Sequence, residues 1–338
     1  MSNLFKKAIV FTDIHYGLRN NSLTHLKDCD EFIDWIIETA KIEGCDTALF
    51  LGDWHHNRSS LNIQTLQYSL KAFEKINDAF SQSFIIVGNH DNFFRESRNC
   101  HSLEWARHLP NIQICNDWFK SGDVVIAPWL VGDEHKKIEK LNAKYVFGHF
   151  ELPHFLMNAK VEMPDQGHTK MEHFHSVGDV FSGHFHMRQQ KQNIHYIGNC
   201  FPHNFADAGD AKRGCMILDW GAEPVYRHWP KQPLYLVSKL SEVIDNASTI
   251  LKENMHVRVD LDIDISYEEA TFIKDQFVGN YGLREMALIP IKTGNISADL
   301  SPGSVKFESV DQIIIDQITN IKSDFYDPNL LLTIYQTL

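Results

Sequence analysis

Five short clusters of Asp, Asn and His, each closing an apolar run, limit what this chain can fold into more than anything else in it. They are Asp13-Ile14-His15, Gly52-Asp53-Trp54-His55-His56, Gly88-Asn89-His90-Asp91, Gly148-His149 and Gly183-His184-Phe185-His186. The runs before them, 8–12, 47–51, 84–87, 145–147 and 180–182, read as short β-strands, and 124–127 reads as another. Between the first three lie stretches of helical period, carried by Phe32, Ile33, Ile36, Ile37 and Ala40 and then by Leu66, Leu70, Phe73 and Ile76. Strand alternating with helix predicts an α/β fold, which places ligands at the carboxyl ends of its strands.

Carboxylate, imidazole and amide oxygen together make a borderline-hard donor set suited to Mn, Fe or Zn, whereas a structural zinc site would call for thiolates. The six cysteines are scattered without a C-x-x-C pair, which points to reduced thiols with no role in the chemistry. Alternate residues of an extended strand end point the same way, so Asp13 with His15, and His184 with His186, are expected to converge. Gly52, Gly88, Gly148 and Gly183 each stand before a candidate ligand, where a missing Cβ permits a sharp turn. Any one cluster is weak: a lone D-x-H means little, and G-N-H-D is also a good turn. Five in order predict a dinuclear metal site, with Asp53 as the carboxylate shared by two cations.

Beyond Tyr196 the strands become closely spaced, including 214–218, and the stretch 224–233 holds three prolines and reads as a connection. Then 234–237 and 256–263 alternate apolar with polar residues as half-buried strands do. The last stretch predicts two helices. Val310, Ile314, Ile318 and Ile321 share one face, and Asp327-Pro328 caps a second helix carrying Leu331, Leu332, Tyr335 and Leu338. Such an apolar pair either docks on its own domain or binds a partner. The expected division is 1–228, 229–303 and 304–338, and 338 residues suffice for one large and one smaller unit. No apolar run reaches the ~18 residues of a membrane span, and Met1 to Lys7 leads into a strand, so the protein is expected to be cytoplasmic. A net charge of −12 argues against holding DNA by a broad basic surface. Any DNA binding must be local, metal-assisted or shared with a partner.

The order D-x-H, G-D-x-x, G-N-H-D, G-H and G-H-x-H, over Ala8 to Asp219, resembles the signature of the calcineurin-like metallophosphoesterases. Within that class, Gly52-Asp53-Trp54-His55-His56, Ala127-Pro128-Trp129, Gly148-His149-Phe150-Glu151-Leu152, Tyr196-Ile197-Gly198 and Lys212-Arg213-Gly214 look most like the SbcD-type double-strand-break repair nucleases, especially the short phage recombination endonuclease subunits. The resemblance implies a four-layer metallophosphoesterase β-sandwich flanked by helices, a smaller α+β capping domain (229–303) and C-terminal helices. It implies one metal held by Asp13, His15, Asp53 and His186 and a second by Asp53, Asn89, His149 and His184, with Mn²⁺ as the ion. His90 is then free for catalysis, as acid or transition-state stabiliser for the departing 3′ oxygen. Asp91 or His56 is expected to orient it. His55 competes with His56 as helper, although His56 stands at the family's helper position. His154, His168, His173 and His175 are expected to decorate a loop, with at most a contact to DNA.

The implied activity is Mn²⁺-dependent 3′–5′ exonuclease action on duplex DNA and endonuclease action on single strands, for recombination and repair. The implied partners are DNA, an SMC-like SbcC-type ATPase bound through 304–338, and a second copy of the chain, through helices near 61–80 or 95–109. Two alternatives use the same sequence. A nucleotide or small-molecule phosphodiesterase also shows G-N-H-D. A non-catalytic DNA-tethering scaffold would be expected to lose ligands, and here every ligand position is filled. Protein phosphatases fit less well, because they show G-D-x-x-D-R-G and G-N-H-E where this chain has Gly52-Asp53-Trp54-His55-His56-Asn57-Arg58 and Gly88-Asn89-His90-Asp91.

Overall fold

The computed structural model describes residues 3–158, 161–165, 167, 169–290, 318 and 331–332. They form two compact units, Met1–Leu236 and Val237–Leu338. The first unit is built on two six-stranded sheets. One runs, in spatial order, Val225–His228, Gly214–Asp219, Lys7–Phe11, Thr47–Phe50, Gln82–Ile86 and Ile112–Cys115. The other runs Gln189–Lys191, Ile194–Tyr196, Val177–Ser182, Ala143–Gly148, Val124–Ile126 and Phe119–Ser121. The central strands of each sheet pair in parallel, Phe11 opposite Phe50 in the first and Ser182 opposite Gly148 in the second.

Period-two alternation decides how the layers stack. From the strand Lys7–Phe11, Ala8 and Val10 face the second sheet and join Leu49, Phe84, Ile126, Tyr145, Phe147 and Phe181 in the core between the sheets. Ile9 and Phe11 face the other way, onto Phe32, Ile33 and Ile36 of helix Leu23–Glu43 and Phe73 and Ile76 of helix Ile63–Ala79. Both strand faces are therefore dry, and this is why these strands read as continuous apolar runs. Asn62 caps the second helix, its side chain accepting from the backbone N–H of Gln64 at 2.8 Å. The outer face of the second sheet is covered by Ile138, Leu152, Phe155 and Phe174, which come from loops and short helical turns rather than long helices. No helix of the described residues is long and apolar enough to cross a membrane.

Three expectations change. The 95–109 helix does not form: only Glu104–His108 is helical, as a 3₁₀ turn. The chain instead doubles back, with Phe93 N–H donating to Cys100 O (3.0 Å) and Ser102 N–H to Asp91 O (2.9 Å). The proline-marked connection contains an edge strand, Val225–His228. The boundary falls after Leu236 rather than at 228/229, because the intervening residues are fastened to the first unit. Trp229 is buried against Phe32 and Phe201, and the Tyr235 hydroxyl donates to His203 O at 2.9 Å.

The second unit is built on a three-stranded sheet, Leu234–Lys239, Met255–Leu261 and Glu285–Pro290, whose first strand begins before the boundary at Leu236, with helices Leu240–Ile250 and Tyr267–Tyr281. Ser266 and Glu269 form a reciprocal capping box at the start of the second helix. Residues 318, 331 and 332 are helical. The rest of the expected helical pair over 304–338, residues 291–303 of the expected capping domain, and His168 lie outside the described residues.

Candidate metal centre

All five clusters lie at carboxyl ends of parallel strands. The first sheet delivers Asp13, His15, Asp53 and Asn89, and the second delivers His149, His184 and His186. The convergence does not come from strand alternation as expected. Asp13 (φ 53°), His15 (φ 51°), Asp53 (φ 61°) and His184 (φ 86°) have left the extended region for left-handed backbone, which costs free energy in non-glycine residues and recurs at functional sites. Neighbouring strand ends impose it: Asp13 N–H donates to Gly52 O (3.0 Å), His15 N–H to Asp53 O (3.2 Å) and Tyr16 N–H to Trp54 O (2.7 Å).

All four glycines that precede candidate ligands are crowded, Gly148 by the Phe150 ring, Gly183 by the Thr12 hydroxyl and the other two by the ligands themselves. A Cβ on Gly52, itself at φ 110°, would run into the His149 ring, and one on Gly88 would run into the backbone nitrogen and Oδ1 of Asp53. Gly88→Ala should therefore destabilise the protein by about 1–3 kcal/mol, the usual cost of overpacking, and weaken metal binding by displacing Asp53. Urea unfolding with and without divalent cation measures both, and an unchanged midpoint and affinity would show that Asp53 is not held by this contact.

The polar atoms form two groups that share Asp53. In the first, Asp13 Oδ1 lies 3.9 Å from His15 Nε2 and 3.8 Å from His186 Nε2, and His15 Nε2 lies 3.7 Å from Asp53 Oδ2. These separations are too long for hydrogen bonds, but ligands about 2.0–2.2 Å from one cation lie about this far apart. Asp13 Oδ1 and His15 Nε2 are buried without any hydrogen-bond partner. Burial holds the His15 imidazole well below its usual range, so its lone pair is available.

In the second group, His149 Nδ1 lies 2.7 Å from Leu51 O, which fixes the proton on Nδ1 and turns the Nε2 lone pair inward. Nε2 then meets Asn89 Oδ1 at 2.9 Å and Asp53 Oδ2 at 3.3 Å, and Asn89 Oδ1 is 3.1 Å from His184 Nδ1. Four electron-pair donors face one another. Without a cation they are reconciled only by a second proton on His149 or by turning the Asn89 NH₂ inward. Burial resists charge on His149, but the Asp53 carboxylate outweighs it and raises the imidazole above its usual range. A cation takes the place of that proton, and this donor chemistry fits one in each group.

Asp53 divides its two oxygens. Oδ2 faces both groups, while Oδ1 accepts the His90 backbone N–H at 2.8 Å. His90 is thus placed beside the shared carboxylate by its main chain. Its ring Nδ1 lies 2.7 Å from the carbonyl oxygen of His56, leaving Nε2 as its remaining proton site. The His56 ring stacks on it at 5.3 Å, with planes 15° apart. His55 is turned into the core, its ring nitrogens 2.7 Å from Ser102 Oγ and 3.0 Å from Ser69 Oγ, and burial pushes its pKa down to about 3. His56, not His55, is the neighbour of His90.

Asp91 does not orient the His90 ring. Its carboxylate accepts the backbone N–H groups of Gly88 (3.0 Å), Trp54 (3.1 Å) and His55 (2.8 Å), tying two ligand-bearing loops together from beneath. Burial and the nearby Asp53 charge push this carboxyl upward against those three bonds. Among the loop histidines, His154 pairs with Glu162 at 3.1 Å, His173 lies 3.5 Å from Glu139, and His175 bonds Glu172 O at 3.0 Å. The structure brings none of these three into the groups around Asp53.

Three neighbours of the site have no role assigned from the sequence, although Trp129 lies in the Ala127-Pro128-Trp129 motif. Arg58 Nη2 lies 3.1 Å from the outer end of the Asn89 amide, putting a positive charge beside the second group. Trp129 packs on His149 and His184 at 5.9 and 5.3 Å, its carbonyl held by Arg98, which also forms a two-point ion pair with Glu134. His203, with His15 and His186, forms a further cluster. It has no glycine or carboxylate beside it to single it out.

The family model for calcineurin-like phosphoesterases matches residues 6–188. The chain is also 26% identical over 196 residues to a protein of Enterobacteria phage T4 named exonuclease subunit 1, covering 55% of this chain and 57% of that one. It therefore matches little more than half of the relative's length.

Proposed function

The chain belongs to the calcineurin-like phosphoesterases, a family of metal-dependent hydrolases, and on that premise we propose that it is a two-cation, Mn²⁺-dependent nuclease of the SbcD type that processes DNA ends. The observation carrying this reading is the convergence of carboxylate, imidazole and amide groups from both sheets around Asp53 Oδ2. Asp13, His15, Asp53 and His186 would hold one ion, and Asp53, Asn89, His149 and His184 the other. When bound, two such ions activate water at neutral pH and neutralise charge on the attacked phosphate. The protein's own part is to fix its ligands on strained strand ends, to place Arg58 beside the phosphate, and to hold a proton on His90 for the departing 3′ oxygen. Similarity to a phage exonuclease subunit supports DNA as the substrate.

In this proposal the enzyme is a 3′–5′ exonuclease on duplex DNA and an endonuclease on single strands, acting as a homodimer. An SMC-like SbcC-type ATPase binds residues 304–338 and supplies much of the affinity for DNA, which reconciles a nuclease with a net charge of −12. That same charge favours one other reading, a nucleotide or small-molecule phosphodiesterase needing no DNA surface. Mn²⁺-dependent degradation of end-labelled duplex DNA, beside hydrolysis of bis-p-nitrophenyl phosphate, separates them. Shortening of the duplex from its 3′ ends, enhanced by the ATPase, is the expected result. Turnover of the aryl ester with no DNA cleavage, even with the ATPase present, would overturn the nuclease reading in favour of the phosphodiesterase.

A further inference from the structure

One imidazole beside the centre, that of His203, has no role in the seven-residue ligand scheme above, and it lies beyond the residues 6–188 that the family model matches. His203 is 2% exposed, and both of its ring nitrogens lack a hydrogen-bond partner. A nitrogen of this ring lies within 4.8 Å of one on His15 and one on His186. The ring stands edge-on to both, with centroids 5.4 and 5.2 Å away and planes 84° and 88° apart.

Its backbone is held from both sides. Asp207 Oδ2 accepts the His203 N–H at 2.8 Å, and the Tyr235 hydroxyl donates to the His203 carbonyl at 2.9 Å. The buried Arg213 guanidinium bonds Asp207 at 3.3 Å and also the carbonyl of His186, so one side chain sets His203 and a cation ligand relative to each other. Edge-on packing alone does not account for a histidine here, because Phe or Leu would fill the space without burying two unpaired nitrogens, which carries a desolvation cost. The imidazoles facing it are those of His15, His186 and His25; His25 is engaged with the His15 carbonyl at 3.0 Å, and the other two are lone-pair donors directed at a cation. We infer that His203 supplies a third imidazole to the cation held by Asp13, His15, Asp53 and His186. The added nitrogen makes that position more favourable than its neighbour to Fe, Co or Zn over Mg or Mn.

This inference rests on the two-cation reading of the site but not on the identity of the substrate. Its test is Co²⁺ and Mn²⁺ titration of the metal-free wild type, His203→Leu and His203→Gln by calorimetry and Co²⁺ absorption, with thermal unfolding of each. The wild type should take up two ions. His203→Leu should keep one at wild-type affinity and bind the other about 10–100-fold more weakly, with His203→Gln between them. Metal-free His203→Leu should melt no lower than the wild type, since it sheds an unpaired buried imidazole, yet gain less on adding metal. Two-ion binding unchanged in both variants, or a lower metal-free melting temperature with an undiminished metal-induced rise, would make His203 a packing or water-bridged residue and sink the inference. A wild type that binds fewer than two ions would instead remove the two-cation premise itself.

Discussion

Asp53→Ala should lower phosphodiester hydrolysis by at least about a thousandfold and leave the protein unable to hold its pair of cations. Three separate contributions are lost at one residue. Oδ2 stands 3.7 Å from His15 Nε2 and 3.3 Å from His149 Nε2, so its removal takes a ligand from each group. Oδ1 anchors the His90 backbone, so the same change frees the segment that carries His90. Cation stabilisation of the attacked phosphate is worth several kcal/mol, and each 1.36 kcal/mol is about tenfold in rate, which makes three orders of magnitude a lower bound.

A second readout ties this loss to the cations. In the metal-free protein Asp53 holds the His149 proton in place, so loading the wild type at neutral pH should release a proton, visible as a dependence of the binding enthalpy on the buffer. In Asp53→Asn the largest raising influence is gone, only Asp13 and the Leu51 carbonyl are left to oppose burial, and that release should shrink. Asp53→Asn protein that still binds two ions and turns over within tenfold of wild type would remove Asp53 from the shared position.

What the sequence made legible were the features written locally. The five clusters follow their strands because a parallel sheet covered on both faces forces near-continuous apolar runs, and these end where polar ligands begin. Gly52 was readable as a turn glycine, its φ of 110° being a property of the turn itself, whereas its crowding by His149 and that of Gly88 by Asp53 come from distant segments. What stayed hidden depended on contacts between distant segments. The left-handed backbone at Asp13 and His15 is imposed by carbonyl groups of residues 52–54, which no spacing rule within 12–15 can reveal. Asp91 belongs to a legible motif, yet its work is to gather three N–H groups from two loops. His203 is a lone histidine among 19, brought beside His186 by the buried Arg213 and Asp207. The 95–109 helix failed for the same kind of reason. Arg98 reaches Asn116 O and Trp129 O, and tying the segment to those loops won over its helical propensity.

His90→Asn should cost about 10²–10⁴ in the rate of DNA cleavage, the usual range for loss of a general acid, while leaving both cations bound. The metal ligands persist because Asp53 is held by the His90 main-chain N–H, which the substitution keeps. The leaving group makes the test specific to proton transfer. A 3′ alkoxide departs poorly without a proton, whereas p-nitrophenolate departs readily without one. Hydrolysis of bis-p-nitrophenyl phosphate should therefore fall by less than about tenfold in the same variant. Equal losses on the two substrates would mean that His90 acts on phosphate binding or on the cations, and no loss on DNA would place the proton elsewhere. His56 is then the alternative source, since its ring stacks on His90 and its Nδ1 lies 3.5 Å from His15 Nδ1. It contributes to His90 a hydrogen-bonded backbone carbonyl, which His56→Ala retains, and a ring stack, which His56→Ala removes. His56→Ala should accordingly lose less than His90→Asn on DNA, and a loss as large and as dependent on the leaving group would transfer the role of acid to His56.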